Sequence, residues 1–150
     1  MLHFKTYHSL PEDAALIRQK VFMEEQGFVD EFDAIDPQAD HIVLYDEQQP
    51  IATCRYFWDD EQQGYVVGRI AVVKEFRGQA LGAAILREAE QQIRQQGGSR
   101  LLLAAQVRAK GFYEKQGYAA KGEEFLEEYW YQISLKLIIQ LKVHSKSRGF

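Results

Sequence analysis

Leu2 to Tyr7 alternates apolar and polar side chains, the period-two signature of a strand with one covered face. Ser9-x-x-Glu12 follows as a capping box, and behind it Leu10, Ala14, Ile17 and Val21 recur at helical spacing. The pattern breaks at Gly27, and residues 28–40 read as a loop in which Asp36-Pro37 opposes helix continuation. His41 to Tyr45 and Ile51 to Trp58 predict two strands joined around Asp46 to Pro50. A polar turn, Asp59 to Gly64, leads into Tyr65 to Val73, a β-branched run suited to a strand buried on both sides. Ala80 to Gln96 then places Leu81, Ile85, Ala89 and Ile93 on one helical face, with Gly97-Gly98 as its stop. Leu101 to Ala105 predicts a short core strand, Ala109 to Gln116 a helix ending at Gly117, and Tyr129 to Ile139 a long final strand.

This order of elements is an α+β unit, expected as a single domain over residues 1–139 followed by a polar, basic tail over 140–150. The chain is 150 residues long, 46% hydrophobic and 27% charged, enough to bury one core. Its net charge of −4 argues against a general nucleic-acid binder. A single cysteine, Cys54, excludes an internal disulfide and a cysteine-based metal site, and fits a reducing cytoplasm. The N-terminal stretch has no apolar run of signal-peptide length and no segment is long enough for a membrane helix, so neither export by that route nor membrane insertion is expected. His3, His8, His41 and His144 have no metal-ligand spacing, and motifs for a serine nucleophile elbow, a Walker lysine or a zinc protease are absent.

Two segments carry chemistry. Ile70-Ala-Val-Val-Lys-Glu-Phe-Arg-Gly-Gln-Ala-Leu-Gly82 runs from a buried strand through a short loop into a helix start. Such a corner offers unpaired backbone N–H groups and the positive end of a helix dipole to an anion, with Arg77 adding charge. Gly78 and Gly82 also suit a tight strand-to-helix connection needing small residues. Further on, Gln106-Val-Arg-Ala-Lys-Gly-Phe-Tyr-Glu-Lys-Gln-Gly-Tyr118 sets an amide at a strand end before a short helix bearing Phe112 and Tyr113.

Together the two segments resemble the GNAT superfamily of acyl-CoA-dependent N-acyltransferases. Arg77, Gly78, Leu81 and Gly82 match its cofactor loop, Q/R-x-x-G-x-G/A, while Ala109, Phe112, Tyr113, Gly117 and Tyr118 match its later motif, with Gln106 where Asn is usual. Arg18 to Gly27 and Glu31 to Asp36 look like the ElaA-like branch. Ala80 stands in place of the loop's middle glycine, where a methyl group would narrow the approach to a pyrophosphate while suiting a right-handed first helical turn. Tyr129-Trp-Tyr-Gln132 departs from the Gly-Ile-Pro-His of ElaA-like chains.

The resemblance implies a mixed, mostly antiparallel sheet of six or seven strands with flanking helices and a V-shaped splay between two parallel central strands. Acetyl-CoA would be the cosubstrate, with no metal. Its pantetheine arm would pair with the backbone of Ile70, Ala71 and Val72, and its pyrophosphate would meet Arg77, Gly78, Gln79, Ala80, Leu81 and Gly82, with Gln106, Phe112 and Tyr113 beside it. A neutral amine would attack the thioester directly, a strand N–H would hold the oxyanion, and Tyr113 would protonate the departing thiolate, since a phenol of ordinary pKa about 10 keeps its proton at neutral pH. Simple packing of a short helix is the competing reading of Phe112 and Tyr113. A non-catalytic acyl-CoA binding or sensing module is the alternative for the whole chain.

The general base is not legible, with Glu25, Glu31, Asp33 and His41 as candidates. Between Val21 and Cys54 lie nine carboxylates and no Lys or Arg. They form either a face that concentrates a small cationic amine or peptide amine, or a solvated loop. A monomer or a homodimer fits the sequence equally.

Overall fold

The computed structural model describes residues 1–29, 31–106, 109–125 and 128–135. In chain order the elements are β1 (Leu2–Tyr7), α1 (Glu12–Arg18), a π-helical segment (Gln19–Glu25), β2 (Asp40–Asp46), β3 (Gln49–Asp59) and β4 (Gly64–Val72). A 3₁₀ turn (Lys74–Phe76) follows, then α2 (Leu81–Gln95), β5 (Arg100–Gln106), α3 (Lys110–Lys115), β6 (Ala119–Phe125) and β7 (Glu128–Ser134). The strands form one sheet of seven in the order β1-β2-β3-β4-β5-β7-β6. It is mostly antiparallel, with β4 and β5 as the parallel pair. The expected tail, residues 140–150, lies outside the described residues.

Contacts divide the chain into two compact units, residues 1–57 with 67–89 and residues 58–66 with 90–150. In the first, the apolar stripe foreseen on α1 is buried as expected. Ala14, Ile17 and Val21 pack with Val43, Tyr45, Ala71 and Val73, and Leu10 and Phe22 close the edge of that cluster. The capping box does not form. Pro11 takes the N-cap position in extended conformation, so Ser9 lies before the helix end and no side chain caps it. Beyond Arg18 the winding loosens into the π-helical segment, a form that is rare and often found where function needs it. Gly27, at φ 79°, ends it where the sequence pattern breaks.

The second unit holds β5, whose Leu101, Leu102 and Leu103 are fully buried and which pairs along its whole length with β7. β6 was not foreseen. Ala-Ala-Lys-Gly-Glu-Glu-Phe has no alternation and contains Gly122 at φ 76°; it is a strand because β7 supplies its hydrogen bonds, with a register break between Lys121 and Phe125. It is the end strand of the sheet, where polar side chains are tolerated. β7 ends at Ser134, short of the expected Ile139; Leu135 is outside the strand and 136–139 lie outside the described residues.

Helix α2 stops as the Gly-Gly pair predicts. Gly97 (φ 89°) donates to Arg94 O at 3.0 Å, and Gly98 donates to Ile93 O at 2.9 Å, which satisfies carbonyls the helix end would otherwise orphan. A Cβ on Gly98 would stand 2.5 Å from Ile93 Cγ2, 2.9 Å from Ile93 O and 3.0 Å from Tyr65 Cδ2, and the backbone oxygen cannot swing aside. Gly98→Ala is therefore expected to cost about 1–3 kcal/mol. Urea unfolding checks this; a variant as stable as the parent would show that the helix end repacks freely.

Candidate functional site

The corner between β4 and α2 is built within the first unit. β4 delivers Ile70, Ala71 and Val72 to its end, where Val73 N donates to Ile51 O at 2.9 Å and Arg77 Nε donates to Val72 O at 3.0 Å. The Val72 carbonyl thus already accepts one hydrogen bond from a side chain. Gly78 turns the exposed loop at φ 86°, and an added Cβ there would meet nothing within 4 Å. Gln79 is exposed, Leu81 is buried as the first residue of α2, and Gly82 is half-buried. No acidic residue stands in the first turn of α2, so nothing there cancels the positive end of its dipole.

Ala80 does not meet the condition that would make alanine comfortable. The helix begins one residue later, and Ala80 itself is left-handed at φ 59°, where Cβ crowds the backbone. Only glycine enters that region without strain, which gives a physical reason for a glycine in the motif. Arg69 (φ 53°) is a second left-handed non-glycine residue, inside β4.

Arg69 is held by the loop that follows the π-helical segment. Its Nε lies 2.8 Å from Glu31 Oε1, and Nη2 lies 3.3 Å from Asp33 Oδ2 and from Glu31 O. Behind it is a buried ion network. Asp36 Oδ1 accepts from Arg18 Nη1 and Arg55 Nη1, both at 2.7 Å, and Oδ2 accepts from Arg18 Nη2 at 3.1 Å and the Asp33 N–H at 3.0 Å. Arg18 Nε donates to Glu31 Oε1 at 3.0 Å, and Arg55 forks onto Asp33 at 2.6 and 2.9 Å. Arg18 is 1% exposed, Asp36 2% and Arg55 4%, so these charges are removed from water and must be paired. Burial alone would raise the Asp36 carboxyl, but hydrogen bonds from Arg18, the Asp33 backbone and Arg55 hold it well below the usual carboxylate range. Asp33 is lowered first by its hydrogen bonds from Arg55.

The network reassigns the acidic run. Glu31, Asp33 and Asp36 are neutralised from within by Arg18, Arg55 and Arg69, Glu25 is bound by Arg77, and Asp40 meets His8 at 2.6 Å. It acts as a brace, and its attraction for an amine is correspondingly reduced. The base candidates change standing with it. His41 is fully buried, its Nε2 is 2.9 Å from Asp36 O, and burial pushes its pKa down. Glu25, Glu31 and Asp33 are each engaged by arginines. Arg55 and Arg69 were missed by sequence reasoning; the available signal was an arginine inside each of two otherwise apolar strands.

In the second unit, Gln106 ends β5 opposite Glu128, and Phe112 and Tyr113 sit on α3. The Tyr113 ring stacks on Tyr131 (centroids 5.7 Å, 29°), with Tyr118 edge-on at 6.1 Å and Phe112 edge-on at 5.0 Å. Phe112 is 37% exposed while its ring meets Tyr113 edge-on, an aromatic pair on the short helix. Tyr131 is fully buried on β7 opposite Leu103, so one residue of the Tyr-Trp-Tyr-Gln departure supports the ring of Tyr113. Among the described residues, no group of three or more His, Cys, Asp or Glu is arranged to hold a metal ion, and no helix is long and apolar enough to cross a membrane.

The fold, the β4–α2 corner and the aromatic helix agree with one class of protein, and the comparisons state it. The model of the acetyltransferase (GNAT) family matches residues 6–118, and the chain belongs to that family. The Bacillus subtilis protein named "Uncharacterized N-acetyltransferase YjcF" is 35% identical over 120 residues, covering 77% of this chain and 84% of its own. An acyl-CoA N-acyltransferase from Pseudomonas aeruginosa shares the fold at TM-score 0.79 and 24% identity, over 89% of this chain and 100% of that one. Escherichia coli ElaA does so at 0.76 and 20%, over 88% and 99%. The catalytic domain of a Tetrahymena histone acetyltransferase in complex with coenzyme A also shares it, at 0.69 and 14%, over 90% and 93%.

Two outcomes follow from this geometry. Ala80→Gly is expected to stabilise the fold by about 0.5–1 kcal/mol, the relief of left-handed strain less the greater freedom of an unfolded glycine, measured by thermal unfolding; a destabilised variant would contradict the strain. Asp36→Asn is expected to lose about 3–5 kcal/mol at neutral pH by leaving two buried arginines short of charge. Because the folded pKa of Asp36 is depressed, its contribution is present above the ordinary aspartate pKa of about 4 and is lost as pH falls below it. The Asn variant should therefore show a shallower acid decline than the parent; equal stability at pH 7 would remove the network from its structural role.

Proposed function

We propose that the protein is an acetyl-CoA-dependent N-acetyltransferase that moves an acetyl group to a primary amine by direct attack. The observation that carries this reading is the β4–α2 corner. Its loop turns through Gly78, where an added Cβ would meet nothing, and its helix start is free of acidic residues. That chemistry fits a pyrophosphate. Bound there, acetyl-CoA supplies an activated acyl group. Arg77, Gly78, Gln79, Ala80, Leu81 and Gly82 hold its phosphates, and the backbone of Ile70, Ala71 and Val72 pairs with the pantetheine as an added strand would. A backbone N–H of that stretch steadies the negative charge that develops on the carbonyl oxygen.

Tyr113 donates a proton to the leaving thiolate, its ring kept in place by Tyr131 and Tyr118. No covalent enzyme intermediate is involved. The acceptor is a small-molecule or peptide amine. With so much of the acidic run paired internally, a cationic acceptor would rely on local contacts more than on long-range attraction. The buried thiol of Cys54, held in its neutral form by burial, suits a cytoplasmic setting.

Tyr113→Phe separates an enzyme from a binding or sensing module. It removes one hydroxyl and keeps the ring, so acetyl-CoA affinity and melting temperature should be preserved while turnover falls about 10- to 1000-fold. Thiol release with an amine that the parent acetylates is the readout. Full turnover in a normally stable variant would take the acid role from Tyr113. A parent that binds acetyl-CoA and turns over no amine would favour the module.

A further inference from the structure

Arg77 does not offer an unpaired guanidinium to the loop it charges. Its Nη1 donates to Glu25 Oε2 at 2.9 Å and its Nη2 to Glu25 Oε1 at 2.8 Å, an end-on fork that spans 52 positions of sequence, while Nε is engaged by Val72 O. Glu25 is the last residue of the π-helical segment. A carboxylate seated on this fork presents what a phosphate presents: two oxygens and negative charge at bidentate spacing. The Glu25 carboxyl is held below its ordinary range first by those hydrogen bonds, against an opposing effect of desolvation, with the charges of Arg77 and then Lys74 adding smaller contributions, so it stays ionised. The side chains are 43% and 32% exposed, so the pair can part by side-chain rotation without opening the core.

The geometry points to Glu25 as an internal stand-in for the cofactor's phosphate. It occupies the Arg77 fork, coenzyme A exchanges for it, and the exchange frees the end of the π-helical segment. This rests on the reading of residues 77–82 as the cofactor loop. Glu25 is then a positioning residue acting through Arg77, and it couples the occupancy of that loop to the state of residues 19–25. Coenzyme A must break one charge-assisted pair before it gains another, so the cofactor site is weaker than its donors alone would make it.

Calorimetric titration of the full chain with coenzyme A tests this, using the parent, Glu25→Gln, Arg77→Ala and the double variant at low salt. Glu25→Gln keeps the shape and removes the charge; it should tighten binding about two- to fivefold, an effect on the scale of a partly exposed ion pair. In the Arg77→Ala background the same substitution should leave affinity nearly unchanged, which marks the effect as routed through the fork. Hydrogen exchange of the amides of residues 19–25 should rise when coenzyme A is added to the parent. Equal or weaker binding by Glu25→Gln would make Glu25 a simple brace for Arg77, and equal tightening in both backgrounds would reduce it to a general charge effect; either overturns the exchange while leaving the cofactor loop intact. A parent that does not bind coenzyme A at all would instead overturn the reading of the loop, and the exchange with it.

Discussion

Three arginines placed on α1, β3 and β4 have to be neutralised, and the first unit is organised around how that is done. Arg18 and Arg55 are buried, and an unpaired charge in such a setting costs several kcal/mol. Asp36 answers both at once, and Glu31 and Asp33 complete the pairing while reaching Arg69. The loop between the π-helical segment and β2 therefore needs no regular structure to be fixed in place. Its side chains tie it to a helix on one side and to two strands on the other, and its backbone joins in where Asp33 N–H and Glu31 O take part.

That brace reaches the strand from which the proposed cofactor loop departs. Arg69 is left-handed inside β4 and is held there by Glu31 and Asp33, while Ala80 is left-handed just before α2. The stretch proposed to line acetyl-CoA, Ile70 to Gly82, thus has one strained non-glycine residue immediately before it and another within it. Strain of this kind persists only where neighbouring contacts over-determine the backbone, and it gathers where a loop has to present its N–H groups in a fixed direction. Arg77, which forks onto Glu25 of the π-helical segment, lies within the same stretch, so two charge systems, one buried and one exposed, act on one loop.

Much of this was legible in the chain. Alternation marked β1, although its Leu2 and Phe4 stay exposed; β-branched and apolar runs marked the buried strands β2 to β5, and helical spacing marked α2. The paired motifs at Arg77 to Gly82 and Ala109 to Tyr118 carried the resemblance to the family whose model matches residues 6–118. β6 was illegible because Ala119 to Phe125 owes its conformation to the hydrogen bonds of β7, which leave no trace in its own composition. The capping box failed because Ser9-x-x-Glu12 satisfies a local rule that Pro11 pre-empts. The ion pairs of the acidic run were illegible for a related reason: charge can be counted along the sequence, but the partners Arg18, Arg55, Arg69 and Arg77 lie outside the run and meet it only in three dimensions.

The central claim is that this fold transfers an acetyl group to an amine, and a single assay addresses it most directly. The protein is incubated with acetyl-CoA and a panel of polyamines, aminoglycosides, amino acids and peptide N-termini, and free thiol and acylated amine are followed together. The account predicts thiol release that depends on at least one amine and is matched by an equal amount of its acetyl amide. Saturable binding of acetyl-CoA, with thiol release no faster in the presence of any amine than in its absence, would contradict it.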